Sequence, residues 1–121
     1  MDKGDNYILR SKTNWKYNDE GKIIEKLFSE YEYKKVNKTK KTLTSTKKDV
    51  YEYKIKDVMP DYYYYENDVL RMKTIYSNED SYVTTFYFDG GFVVDSVYEN
   101  ATHTKDIFYS NGNIIRQKVY E

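Results

Sequence analysis

The residues able to do acid–base or metal chemistry are unevenly supplied in this chain. Its 121 residues include 1 His, 0 Cys and 20 Asp+Glu. A single histidine cannot build a multi-histidine metal site, and without cysteine there is neither a thiolate zinc site nor a cysteine nucleophile. His103 lies in Asn100-Ala101-Thr102-His103-Thr104, which reads as a turn, so a solvated turn residue is expected there. The carboxylates come in close pairs: Asp57 with Asp61, Glu66 with Asp68, and Glu79 with Asp80. A glycosidase needs two carboxylates facing each other across a cleft, and a calcium loop needs alternating oxygen ligands ending in a bidentate Glu. These pairs instead fall where turns are expected, because Asp favours turns locally. Five glycines in the whole chain leave no Gly-rich phosphate cradle. The expectation is a non-enzymatic protein with no catalytic residue, metal or cofactor.

Aromatic and charged residues point elsewhere, towards contact surfaces. The chain has 16 Tyr, four of them consecutive at Tyr62-Tyr63-Tyr64-Tyr65. In a strand, such a run gives aromatic cross-strand pairs on both faces. It also offers a contact surface, since Tyr is enriched at interface hot spots. Tyr63, Tyr65, Arg71, Tyr76, Tyr82, Tyr87, Asp89 and Tyr98 are the candidate partner-binding residues. The zero net charge hides an asymmetry: residues 1–48 hold 13 Lys+Arg against 7 Asp+Glu, and residues 49–121 hold 7 against 13. The basic stretch from Lys34 to Lys48 reads as a solvated, aggregation-blocking edge, with nucleic-acid contact as the alternative. The acidic part suits a basic protein partner, such as a nuclease toxin, because complementary charge speeds association.

The elements that must position these residues are strands. From Tyr51, the set Tyr51, Tyr53, Ile55 alternates with Glu52, Lys54, Lys56, which places each set on one face of a strand. No sustained helical period is present, and a helix over Val36–Asp49 is disfavoured by its threonines. Turn signals recur at Asn18–Gly21, Glu66–Asp68, Asp89–Gly91 and Ser110–Asn113. Gly21, Asn67, Gly90 and Gly112 are separated by 46, 23 and 22 residues, as for a hairpin repeat whose missing marker falls near Thr44. The predicted fold is all-β and forms a single domain over 1–121. It is an antiparallel meander of about nine or ten strands, extended, curled or barrel-like. The strands are expected at 6–17, 22–36, 40–46, 50–58, 61–66, 69–77, 81–88, 92–99, 104–109 and 114–120.

Two aromatics, a polar turn and two aliphatics recur in Trp15 to Ile24, Tyr63 to Arg71, Phe86 to Val94 and Phe108 to Arg116, and within them Tyr17 to Ile24, Tyr87 to Val94 and Tyr109 to Arg116 carry the motif Tyr-x-Asn/Asp-Gly-x-aliphatic-aliphatic. This text resembles the MORN-variant hairpin repeats of bacterial proteins and is similar to the tyrosine–aspartate repeats of secreted toxin shells. The resemblance implies scaffolding, protein contact or antitoxin-like binding, and transfers no catalytic residue. The leading expectation is thus an immunity- or antitoxin-like protein-binding module. A cell-envelope structural or ligand-binding protein, such as a trimmed lipoprotein, and an enzyme with a Tyr-lined cleft stand as alternatives. The start Met1-Asp2-Lys3-Gly4-Asp5 has no apolar stretch of signal-peptide length. This leaves a cytoplasmic protein, or an envelope protein whose signal was removed. No apolar run approaches the roughly 20 residues of a membrane-spanning helix.

Overall fold

The alternating Tyr, Val, Ile and Thr residues form a sheet. The computed structural model describes residues 7–34, 41–54 and 58–121, and these described residues form nine strands. They are β1 (Tyr7–Tyr17), β2 (Ile23–Lys34), β3 (Lys41–Glu52), β4 (Asp61–Glu66), β5 (Val69–Asn78), β6 (Ser81–Tyr87), β7 (Phe92–Glu99), β8 (Thr102–Ser110) and β9 (Asn113–Val119). A single 3-10 turn, Asp89–Gly91, precedes β7. All belong to one antiparallel sheet whose order follows the chain from β1 to β9, so the barrel-like alternative is not adopted. Among the described residues no helix is long and apolar enough to cross a membrane.

The lysine-rich region departs from expectation. Strands 40–46 and 50–58 are replaced by the single β3, which ends at Glu52. Thr42, Thr44 and Thr46 alternate along it, and β-branched residues keep the backbone extended despite the intervening charges. Thr44 therefore lies inside a strand rather than at a repeat turn. Here β2 and β3 each run to 12 residues, too long for a spacing of 22 between turns. Residues 35–40 and 55–57 lie outside the described parts.

The chain packs as two compact units. Unit 1 comprises Met1–Asp49 and Tyr65–Val69. Its β1–β2 hairpin closes on Asn18, whose Oδ1 accepts hydrogen bonds from the backbone N–H of Glu20 and Lys22, each at 3.0 Å. Asn67 meets β3 twice: its N–H donates to the Thr46 carbonyl at 2.9 Å, and its Oδ1 accepts from the Thr46 N–H at 2.9 Å. Unit 2 comprises Val50–Tyr64 and Leu70–Glu121. Among its described residues the only regular elements are strands of the one sheet and the 3-10 turn, so none of them forms a second layer over either face.

This organisation leaves no conventional core. Among the described residues no apolar side chain is buried, and the buried residues are Ser29, Asp61 and Thr85. Asp61 opens β4, where the expected strand over 61–66 begins, but it is not the exposed turn carboxylate that its pairing with Asp57 suggests, since it is only 2% exposed. Its Oδ1 accepts from the Tyr76 N–H at 2.9 Å, and the Lys54 ammonium lies 2.5 Å from its Oδ2. Those partners account for a carboxylate in the sheet interior.

The hairpin turns carry backbone strain. Asn67 and Asp68, Asn100 and Ala101, and Asn111 and Gly112 all have positive φ, as two-residue primed turns require. Ala101 holds φ 62°, a conformation that costs a residue with a Cβ roughly 1–2 kcal/mol. Gly91 holds φ 78° with Asn111 Oδ1 occupying the place a Cβ would take, whereas a Cβ on Gly112 would meet open space. Urea unfolding should show Ala101→Gly more stable than wild type by about 1 kcal/mol. Gly91→Ala should be less stable than Gly112→Ala, because only it adds a clash to the shared backbone strain.

Candidate functional site

Strand register in unit 2 gathers side chains into rows that run across β5 to β9. Directly paired residues share a face. One face carries Tyr76, Tyr82, Tyr98 and His103 in one row. A second row holds Thr74, Thr84, Ser96, Asp106 and Lys118. A third holds Met72, Phe86, Val94, Phe108 and Arg116.

The first row is a ladder of rings. Centroids are 5.0 Å apart for Tyr76–Tyr82, 4.6 Å for Tyr82–Tyr98, 4.7 Å for Tyr98–His103 and 4.2 Å for His103–Tyr120. Tyr82, Tyr98 and His103 are stacked, with interplanar angles of 12° and 15°. Rings stacked on one another stand up from the sheet, so their faces are used internally and their edges face outward. His103 is thus not the solvated turn residue expected. The turn is Asn100-Ala101 and β8 begins at Thr102, so His103 lies within the strand. A bulge between Val97 and Tyr98 brings it opposite Tyr98.

Asp106 ties the ladder to the hydroxyl row. Its Oδ1 accepts from Ser96 Oγ at 2.7 Å and lies 2.8 Å from His103 Nε2, while Oδ2 accepts from the Tyr120 hydroxyl at 2.5 Å. Partial burial pushes the Asp106 carboxyl up. Hydrogen bonds from Tyr120, Ser96 and His103, with the charge of His103, together outweigh it, so the net displacement is downward. The same bond raises the Tyr120 phenol, reinforced by desolvation. Beside Asp106, the Thr74 and Thr84 hydroxyls are 2.9 Å apart.

The opposite face has its own polar centre. Thr85 Oγ1 donates to Asp95 Oδ1 at 2.5 Å. Burial first, and then the charge of Asp95 and a hydrogen bond to it, raise the Tyr109 phenol. Lys73 Nζ lies 5.9 Å from the Tyr87 ring centroid. These five residues, with Val93 and Gly112, line an open groove of about 340 Å³. A second concavity of about 300 Å³ adjoins the ladder, where Tyr51 and Tyr62 (centroids 5.4 Å apart) meet Met59, Pro60, Thr74 and Tyr76.

The structure brings three of the eight candidate residues together: Tyr76, Tyr82 and Tyr98 form the ladder. Tyr87 follows Phe86 and so falls on the other face. Arg71 and Asp89 pair with each other at 2.8 Å. Tyr63 sits near Lys54 and Lys73; burial and the carboxylates of Glu52 and Asp61 push its phenol up. Tyr65 belongs to unit 1, beneath Lys48 Nζ at 4.8 Å from its ring. His103, Asp106 and Tyr120 were not among the candidates, yet Tyr76, Tyr98 and Tyr120 are spaced by 22 residues, the period of the turns.

Among the described residues no group of three or more His, Asp or Glu is arranged to hold a metal ion. Comparison of the chain with protein-family models, with curated proteins and with solved structures yields no match.

Asp106 gives a pH test. A carboxyl held below its unfolded value of about 3.9 contributes stability above that pH, and the contribution is lost as pH falls through the folded value. Asp106→Asn should lower stability at pH 7 by about 1–3 kcal/mol through its disrupted hydrogen bonds. It should also flatten the acid limb of the stability profile, measured by urea unfolding between pH 7 and 3. An acid limb as steep as wild type's would contradict the assignment.

Proposed function

We propose that this chain is a non-enzymatic protein-recognition module, immunity- or antitoxin-like, that engages a basic partner through the ladder face of unit 2. The observation that carries this reading is that no apolar side chain is buried among the described residues, so ordered aromatic rows remain at the surface. Tyr edges and hydroxyls held in register supply contact area at low entropic cost, and Tyr is over-represented among interface hot spots. Asp106, shifted downward and hydrogen-bonded on both oxygens, presents a fixed negative charge beside them. Residues 49–121 hold 13 Asp+Glu against 7 Lys+Arg, an excess that a basic partner matches, and such complementarity raises association rates. The open groove beside Tyr87 supports a second reading, a ligand-binding module of the cell envelope.

Affinity capture from the source organism, followed by calorimetric titration of the recovered protein, tests the first reading. The expected partner is basic, and Tyr76→Ser or Tyr98→Ser should weaken it by at least about tenfold in variants with wild-type circular dichroism. Recovery of no protein partner, or of one indifferent to both substitutions, overturns it.

A further inference from the structure

The sheet ends at β9, and this margin differs from the acidic part of the chain to which it belongs. Asn113–Val119 contains Arg116 and Lys118 and no Asp or Glu, and every residue of the strand is exposed. Ile114 is 55%, Ile115 59% and Val119 66% exposed. Among the described residues, the strand order places β8 on one side of β9 and no strand on the other.

The ladder geometry shows which backbone groups face outward. The N–H of Tyr120 donates to the Thr104 carbonyl at 2.9 Å, and Lys118 and Arg116 lie opposite Asp106 and Phe108. In an antiparallel pair, hydrogen-bonded and non-hydrogen-bonded positions alternate. Tyr120, Lys118 and Arg116 therefore direct their backbone groups towards β8, and Val119 and Gln117 direct theirs away from it. A strand laid against this margin would bond the N–H and C=O of Gln117 and Val119. Arg116 and Lys118 would then occupy the non-hydrogen-bonded positions of the new pair, where facing side chains come closest.

Both cations are already placed. The Arg116 guanidinium carbon lies 5.4 Å from the Phe108 ring centroid, and Lys118 Nζ lies 5.0 Å from that of Tyr120. Both project on the ladder face. Pairing β9 with β9 of a second copy about its centre would set these cations against each other. The other margin, β1, is no better, since it carries Arg10, Lys12 and Lys16 and no acid. Like charges directly opposite are destabilising, so the margin disfavours copies of itself.

We infer that β9 accepts an extended acidic segment of another protein by strand addition, with two carboxylate side chains at alternate positions facing Arg116 and Lys118. This margin adjoins the last ring of the ladder at Tyr120 but is read through the outward backbone of β9 and its two cations, and the inference does not depend on the reading proposed above. A capped peptide of alternating glutamate and valine probes it. On titration, the amides of Gln117 and Val119 should shift and gain protection from hydrogen exchange. A peptide with the same side chains, N-methylated at alternate residues, should bind at least about tenfold more weakly, because it cannot complete the backbone bonds. Arg116→Glu with Lys118→Glu should reverse the preference towards a lysine–valine peptide. Tyr98→Ser should leave peptide affinity unchanged, which separates this site from the ladder surface. Equal binding of the N-methylated peptide would reduce the interaction to charge alone and overturn the inference. Perturbations away from β9, or a dimer already protecting Gln117 and Val119 without peptide, would overturn it equally.

Discussion

Each strand of unit 2 must find its stabilising contacts in its immediate sheet neighbours, because among the described residues no other element of the unit packs across either face and no apolar side chain is buried. In a layered domain, burying a Leu or Phe side chain contributes about 1.5–3 kcal/mol, which is unavailable in full to a half-exposed residue. Lateral contacts take over. An aromatic pair adds about 0.5–1.5 kcal/mol beyond its area burial. The four ring contacts from Tyr76 to Tyr120 together come to roughly 2–6 kcal/mol, a sizeable part of the about 5–15 kcal/mol that stabilises a typical domain. Exposed ion pairs such as Lys22 with Glu20, each worth about 0–1 kcal/mol, count for little beside them. Tyr suits this duty: its ring fills the row and its hydroxyl tolerates water, where Leu would leave an apolar surface open.

The same constraint explains the polar rows. A half-exposed face can hold Thr74, Thr84, Ser96 and Asp106 side by side because each finds a partner laterally. Asp61, the most enclosed of the buried residues, is satisfied by a backbone N–H and a lysine reaching in from the surface. Polarity inside this sheet is therefore a matter of completed hydrogen bonds between neighbours, with little help from depth.

Much of this was legible in the residues. Alternation and turn chemistry locate most of the strands closely; 61–66 and 92–99 coincide with β4 and β7. The turn spacing of 22 residues also encodes the rows, since it returns a residue to the same face two strands later. Tyr76, Tyr98 and Tyr120 follow from it, as do Thr84 with Asp106, Phe86 with Phe108 and Tyr87 with Tyr109. What was not legible were the one-residue irregularities. The bulge beside Tyr98 moves His103 into the place that strict spacing from Tyr82 would assign to Thr104. A bulge leaves no signature in composition, so His103, and with it the His103–Asp106 contact, could not be placed from pattern alone. In β3 the obstacle was different, because lysines and threonines resemble a break when read by charge and a strand when read by backbone preference.

The strand order, strictly that of the chain, also shapes how the sheet assembles. Every pairing joins segments adjacent in sequence, so each closes a short loop and none waits for distant segments to meet. The sheet can grow from any hairpin by zippering, and it comes apart in the reverse sense. An inner strand is held along two borders, while β1 and β9 are held along one. Local stability therefore grades from the margins inward, and opening begins as fraying at the ends of the order.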